Sequence, residues 1–149
     1  MTSGKKKIKV AFICTGNACR SQMAEGWAKH LKADVTEAYS AGITPAGVSP
    51  TAVQVMAEAG VDISNQSSKH VVDLPDVHFD YVITLCDYAR QHCPFFSRAA
   101  KHIHKPFQDP SFLVGARQQV LAAFRETRDA IREFVETMPE SLQKETPEP

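Results

Sequence analysis

The chain has 149 residues, 43% of them hydrophobic, and 17 Lys and Arg balance 17 Asp and Glu. That is the profile of one globular domain with no net charge to draw it to nucleic acid or to an anionic membrane surface, so any anion it binds must be held by a local site. No apolar run reaches the roughly 18–20 residues of a membrane-spanning helix, and the stretch after the Lys-rich start is too short for a secretory signal. The expected setting is therefore cytosolic, where disulfides are usually transient or catalytic, and this gives weight to Cys14, Cys19, Cys86 and Cys93.

Residues 7–13 (KIKVAFI) are a short β-rich apolar run and predict a buried central strand. The loop CTGNACR follows, in which Gly16 and Asn17 both tolerate positive φ. A helix is expected over 21–31, with Ser21 as its N-cap and Met23, Trp27 and Leu31 on one face. Residues 35–40 read as a second strand and 42–49 as a loop. Pro50 opens a helix through 59 that Gly60 stops. Residues 79–85 (FDYVITL) form a third strand that runs into Cys86. A weaker fourth strand covers 100–104, with His102 and His104 as surface residues. Helical periodicity over 113–138 runs through Val114, Leu121, Phe124, Ile131 and Val135. Residues 139–149 carry three prolines and four charges and read as a disordered tail, which leaves 1–138 as a single catalytic domain.

Strands alternating with helices imply an α/β fold with a mostly parallel sheet. Ligands of such sheets sit beyond the carboxyl ends of the strands. Cys14 and Cys86 both lie at such ends, so one shared site is expected. Between strand and helix, the loop can aim successive backbone N–H groups at one centre, and the helix N-terminus adds partial positive charge. The candidate cradle is Thr15, Gly16, Asn17, Ala18, Cys19, Arg20 and Ser21. Arg20 supplies a bidentate fork that matches a tetrahedral oxyanion. The same potential favours the thiolate of Cys14, and the neighbouring Ser21 hydroxyl can hydrogen-bond it. The result is a nucleophile facing a bound oxyanion.

The segment Cys14-Thr15-Gly16-Asn17-Ala18-Cys19-Arg20-Ser21-Gln22-Met23-Ala24-Glu25-Gly26 resembles the active-site loop of the low-molecular-weight tyrosine phosphatase superfamily. It is most similar to the arsenate reductase branch that couples to thioredoxin. The resemblance runs from about residue 8 to 112 and includes Tyr39-Ser40-Ala41-Gly42-Ile43 and Asp62-Ile63-Ser64-Asn65. It implies a four-stranded parallel sheet flanked by helices, phosphatase-like in architecture.

Two activities separate within that superfamily. A phosphatase needs a carboxylic acid to protonate its leaving group, and Asp109-Pro110 fits that position, with the proline holding Asp109 out of helix. Similar phosphatases carry a tyrosine directly after this pair, whereas Ser111 stands here. A reductase needs further thiols within reach. Cys86 and Cys93 match the redox segment of the reductases in spacing and in the following Pro94. The resemblance implies a relay on arsenate in which Cys14 attacks first and Cys86, then Cys93, resolve it. Residues 87–95 would rearrange between redox states, and thioredoxin or a glutaredoxin-like donor would supply reducing equivalents, with no bound cofactor. A structural zinc site is the non-enzyme alternative, but the spacing C-x₄-C…C-x₆-C suits zinc poorly and Arg20 would repel the cation. Cys19 reads as loop packing, with an internal redox partner that protects Cys14 as the alternative. Some related reductases use a potassium ion near Asn17 and Ser40; the matching carboxylate position holds Lys69, so no potassium requirement is expected. Neutral charge and the lack of long heptads point to a monomer.

Overall fold

The computed structural model describes residues 7–92 and 99–144. Four parallel strands make one sheet: β1 (Ile8–Cys14), β2 (Thr36–Gly42), β3 (Phe79–Thr84) and β4 (Ala99–His104), in the order β2-β1-β3-β4. The helices are α1 (Arg20–Leu31), α2 (Pro50–Glu58), α3 (Asp87–His92), α4 (Arg117–Glu136) and α5 (Glu140–Lys144). The fold is the expected α/β sheet with flanking helices.

The strand order decides where a ligand goes. From β1 the chain crosses to β2 on one side, while β3 pairs with β1 on the other, so the order reverses between β1 and β3. In doubly wound sheets this is where a crevice opens beyond the carboxyl ends. Cys14 ends β1 and Cys86 follows β3 by two residues. Two thiols thus flank one crevice, and topology alone puts them there.

Burial explains why α1 carries so many apolar residues. It lies between the sheet and α4, and Met23, Ala24, Trp27 and Ala28 are all buried. Trp27 Nε1 donates to the Arg128 carbonyl at 3.1 Å, which satisfies the indole inside the core and ties α1 to α4. Helix α4 presents Phe124, Ile131, Phe134 and Val135 to the same core. Gly26 is where α1 passes the loop after α2: a Cβ there would lie 2.5 Å from Ile63 Cγ2.

Three sequence expectations are corrected here. Helix α4 starts at Arg117 rather than 113, because Gln119 Oε1 accepts from the Ala116 N–H at 3.0 Å and caps it there; Val114 is left almost fully exposed. Ser21 is not the N-cap of α1, since the helix begins at Arg20. Residues 139–144 are not a disordered tail: α5 returns Leu142 to the core beside Met138, both fully buried. Prolines and charges dominate the composition of this stretch, but Val135, Met138 and Leu142 continue the helical spacing of α4's buried face. Residues 145–149 lie outside the described residues. Among those described, no helix is long and apolar enough to cross a membrane. Leu142→Ala should lower unfolding free energy by about 2–5 kcal/mol in urea denaturation. A change near zero would mean that α5 is not docked.

Candidate active site

The loop from Cys14 to Arg20 is fastened from outside. The carbonyls of Cys14, Thr15, Gly16 and Ala18 accept from the N–H groups of Ile43, Thr44, Ala46 and Ser49 at 2.8–3.2 Å. A trans peptide sends its N–H opposite to its C=O, so the amides of those peptide units turn away from the 43–49 segment and are left for an anion. Gly42 lets the loop come this close: a Cβ there would sit 2.7 Å from the Thr15 carbonyl oxygen and 2.8 Å from the Asn17 nitrogen.

Beneath the loop lies a closed hydrogen-bond chain centred on Asn17, which has φ 47° and is fully buried. Its Nδ2 donates to Ser21 Oγ at 2.8 Å and to Ser40 Oγ at 3.0 Å, and its Oδ1 accepts from the Lys69 N–H at 2.9 Å. Both amide hydrogens and the carbonyl oxygen are therefore used. Ser40 Oγ donates its own hydrogen bond to Glu25 Oε1 at 2.5 Å, and Lys29 Nζ donates to Glu25 Oε2 at 2.5 Å. On the other branch Ser21 Oγ lies 2.8 Å from Cys14 Sγ. The Ser21 oxygen accepts from Asn17, which leaves its hydroxyl hydrogen able to point at the sulfur. The side chains of Asn17 and Ser21 accordingly support the cradle from below.

The cleft above measures about 520 Å³, and its wall joins Cys14, Thr15, Gly16, Cys19, Arg20 and Asp109. Arg20 is the first residue of α1; its Nη1 donates to the Phe107 carbonyl at 3.1 Å and its Nη2 to Asp109 Oδ2 at 3.2 Å. The other Asp109 oxygen accepts from the Ser111 N–H at 2.9 Å and from Ser111 Oγ at 2.6 Å. So the hydroxyl at the position where similar phosphatases carry a tyrosine binds Asp109 itself. Tyr88 and Phe112 form an exposed aromatic rim.

Cys86 is buried against the same loop, with Sγ 3.2 Å from Thr15 Oγ1 and accepting from the Ala89 N–H at 3.4 Å. Cys14, Cys19 and Cys86 are all free thiols. Cys93, expected as the last relay thiol, lies outside the described residues. Burial first, and then the Asp109 carboxylate, push the Cys19 thiol up to about 12. It packs in the loop as a neutral thiol. Among the described residues no cluster of three or more His, Cys, Asp or Glu could hold a metal ion. Beside Ser40, Lys69 Nζ donates to the carbonyls of Ser40 at 3.3 Å and Ser67 at 2.8 Å, placing the protein's own cation there.

Sequence reasoning missed Glu25 and His104. Glu25 stands one turn after Ser21 on α1, so i,i+4 spacing is the signal that places it under the loop. His104 is not a surface residue: its ring is held between Thr84 Oγ1 and Asp87 Oδ1.

A buried free cysteine at the head of a strand–loop–helix turn, with an arginine and an aspartate beside it, is the arrangement that a cysteine-dependent oxyanion enzyme needs. Residues 9–148 match the family model for low molecular weight phosphotyrosine protein phosphatases, and the chain belongs to that family. It is 44% identical over 137 residues to the arsenate reductase of Bacillus licheniformis, an alignment covering 91% of this chain and 97% of that protein. A solved arsenate reductase in the phosphate binding state is similar at a TM-score of 0.76 and 36% identity, over 88% of this chain and 95% of that one. A low molecular weight protein tyrosine phosphatase from T. tengcongensis is similar at 0.69 and 25% identity, over 91% of this chain and 99% of that one.

Two measurements check this site. A thiol pKa of about 12 leaves roughly one Cys19 in ten thousand ionised at pH 8. Peptide mapping after iodoacetamide treatment of the native protein should find Cys19 unmodified; labelling at the rate of an open thiol contradicts its placement. A specific potassium site would raise the melting temperature by several degrees when potassium replaces sodium at equal ionic strength. With Lys69 in place, no such rise is expected.

Proposed function

We propose that the protein reduces arsenate to arsenite through Cys14, Cys86 and Cys93, in the cytosol, and that an external dithiol protein such as thioredoxin restores it. The observation that carries this reading is a second buried free thiol, Cys86, lying against the oxyanion loop through Thr15. A hydrolase has no use for it. The identity to arsenate reductases over nearly the whole chain supports the same choice.

The proposed relay has three steps, and the positions of Cys14, Arg20, Asp109 and Cys86 support the first two. The loop amides and the Arg20 guanidinium hold arsenate where phosphate would sit, and the charge they neutralise lowers the barrier to attack by an anion. The Cys14 thiolate attacks the arsenic of bound dihydrogen arsenate, and one arsenate hydroxyl leaves as water with the second substrate proton, which the Asp109 carboxylate at the mouth can take up and hand on. The Cys86 thiolate then attacks Cys14 Sγ. The S–As bond breaks, its electron pair stays on arsenic, arsenic passes from the +5 to the +3 state, and arsenite departs from a Cys14–Cys86 disulfide. The Cys93 thiolate attacks Cys86 and frees the Cys14 thiolate. For this the segment that begins at Asp87 has to yield, because a disulfide needs its Cα atoms within about 7 Å. No bound cofactor takes part, and one monomer holds the whole relay.

The phosphatase reading has one observation in its favour, the Asp109 carboxylate beside Arg20. The two readings share their first step and part at the second. Coupled to thioredoxin, its reductase and NADPH, the protein should oxidise NADPH in the presence of arsenate, and Cys86→Ser or Cys93→Ser should cut multiple turnover by about a hundredfold or more while Cys14 remains able to hydrolyse p-nitrophenyl phosphate slowly. If both variants retain arsenate-dependent turnover, the relay is wrong; strong phosphatase turnover without arsenate-dependent NADPH loss would establish the hydrolase.

A further inference from the structure

One imidazole outside the oxyanion loop grips the chain on both sides of Cys86. Thr84 and His104 are register partners at the ends of β3 and β4, and Thr84 Oγ1 lies 2.9 Å from His104 Nδ1. The other ring nitrogen, Nε2, lies 2.8 Å from Asp87 Oδ1. Thr84 stands two residues before Cys86 and Asp87 one residue after it. The His104 side chain is only 9% exposed, whereas that of Asp87 is 81% exposed. One end of the grip is therefore built into the sheet and the other reaches out to the first residue of α3.

We infer that His104 is a positioning residue that holds the β3–α3 turn so that the Cys86 thiol rests against Thr15. Thr84 is buried and cannot drift, since β3 pairs with β1 and β4 at this level. Asp87 opens a helix of only six residues, too short to be rigid alone. The turn itself is closed by the Arg90 N–H on the Cys86 carbonyl at 3.1 Å. The imidazole links the fixed side to the loose one and sets the direction in which α3 leaves the sheet. Because Asp87 is exposed, the contact contributes orientation more than stability. Either protonation state of the ring keeps both contacts: a neutral ring donates from Nε2 and accepts at Nδ1, a charged ring donates from both, and the Thr84 hydroxyl serves as either partner. A neutral glutamine offers the same pair of groups, one donor and one acceptor.

The role of this grip in catalysis rests on the proposed relay, but the grip itself is tested without it. The reduced protein is alkylated with iodoacetamide, and Cys86 and Cys14 are followed separately by peptide mapping. In His104→Ala, and in the surface variant Asp87→Ala should the first not fold, Cys86 labelling should rise at least fivefold relative to Cys14, and His104→Gln should return most of the difference. In a single turnover with arsenate, arsenite release should slow about tenfold in His104→Ala and recover in His104→Gln. Unchanged Cys86 labelling, or an equal rise at both cysteines, overturns the inference, the second because it signals general loosening. If Cys86 labelling rises as described but arsenite release keeps its wild-type rate, the positioning of Cys86 stands and the relay fails.

Discussion

The whole site depends on the side-chain amide of Asn17. A loop that aims backbone N–H groups at an anion is electrostatically unfavourable when empty, since like dipoles converge, and something must hold it open before substrate arrives. Asn17 does so by taking a left-handed backbone conformation (φ 47°) and using both hydrogens and the oxygen of its side-chain amide on residues outside the loop. Asparagine is among the few residues that adopt such a φ without serious strain. Glycine could match the φ but not the bonds. The reward is preorganisation: donors already placed need not reorganise when charge develops.

The same amide links opposite requirements. One of its hydrogens orders Ser21, whose hydroxyl meets the Cys14 sulfur; the other orders Ser40, which meets the buried Glu25. Glu25 is a buried carboxylate close to a site that must attract anions. Lys29 answers its charge, and the Lys69 ammonium sits on the Ser40 carbonyl a short way off. Below the loop the Glu25 carboxylate is answered by Lys29, and above it the Arg20 guanidinium is paired with Asp109. In a chain with no net charge, the proposed oxyanion site depends on charges sorted locally.

Much of this was legible in the sequence, for identifiable reasons. Cys14 and Arg20 are read from a strand–loop–helix pattern whose physics is local, and the parallel sheet from alternating elements. What escaped was long-range. Alternation assigns His104 to a face of β4 but cannot say that Thr84 and Asp87, about twenty residues earlier, close on its ring. Ser21 looks like an N-cap because caps are the usual use of a serine before a helix; here the helix begins a residue earlier and the hydroxyl has a sulfur to meet. Val114 falls one heptad before Leu121 and so reads as helix, yet the Gln119 cap ends the helix short of it. In each case a particular partner outweighed a correct local preference.

The two thiols at the crevice are held by different means, and the proposed chemistry needs that difference. Cys14 ends β1 and opens the loop to α1, a loop fixed by four carbonyl contacts to the 43–49 segment and by the amide chain below. It has to return to the same place after every cycle, so rigidity serves it. Cys86 sits where β3 gives way to a six-residue helix, with Thr15 and the Ala89 N–H on its sulfur. Those contacts involve a hydroxyl that can rotate and a short helix with little cooperative stability. A resolving thiol has to approach one partner and then be drawn to another. If Cys86 were set in the sheet as Cys14 is, the first disulfide would be a dead end; if it were on an unrestrained loop, it would meet the arsenate adduct too seldom. A turn clamped on its sheet side and yielding on its helix side lies between these failures.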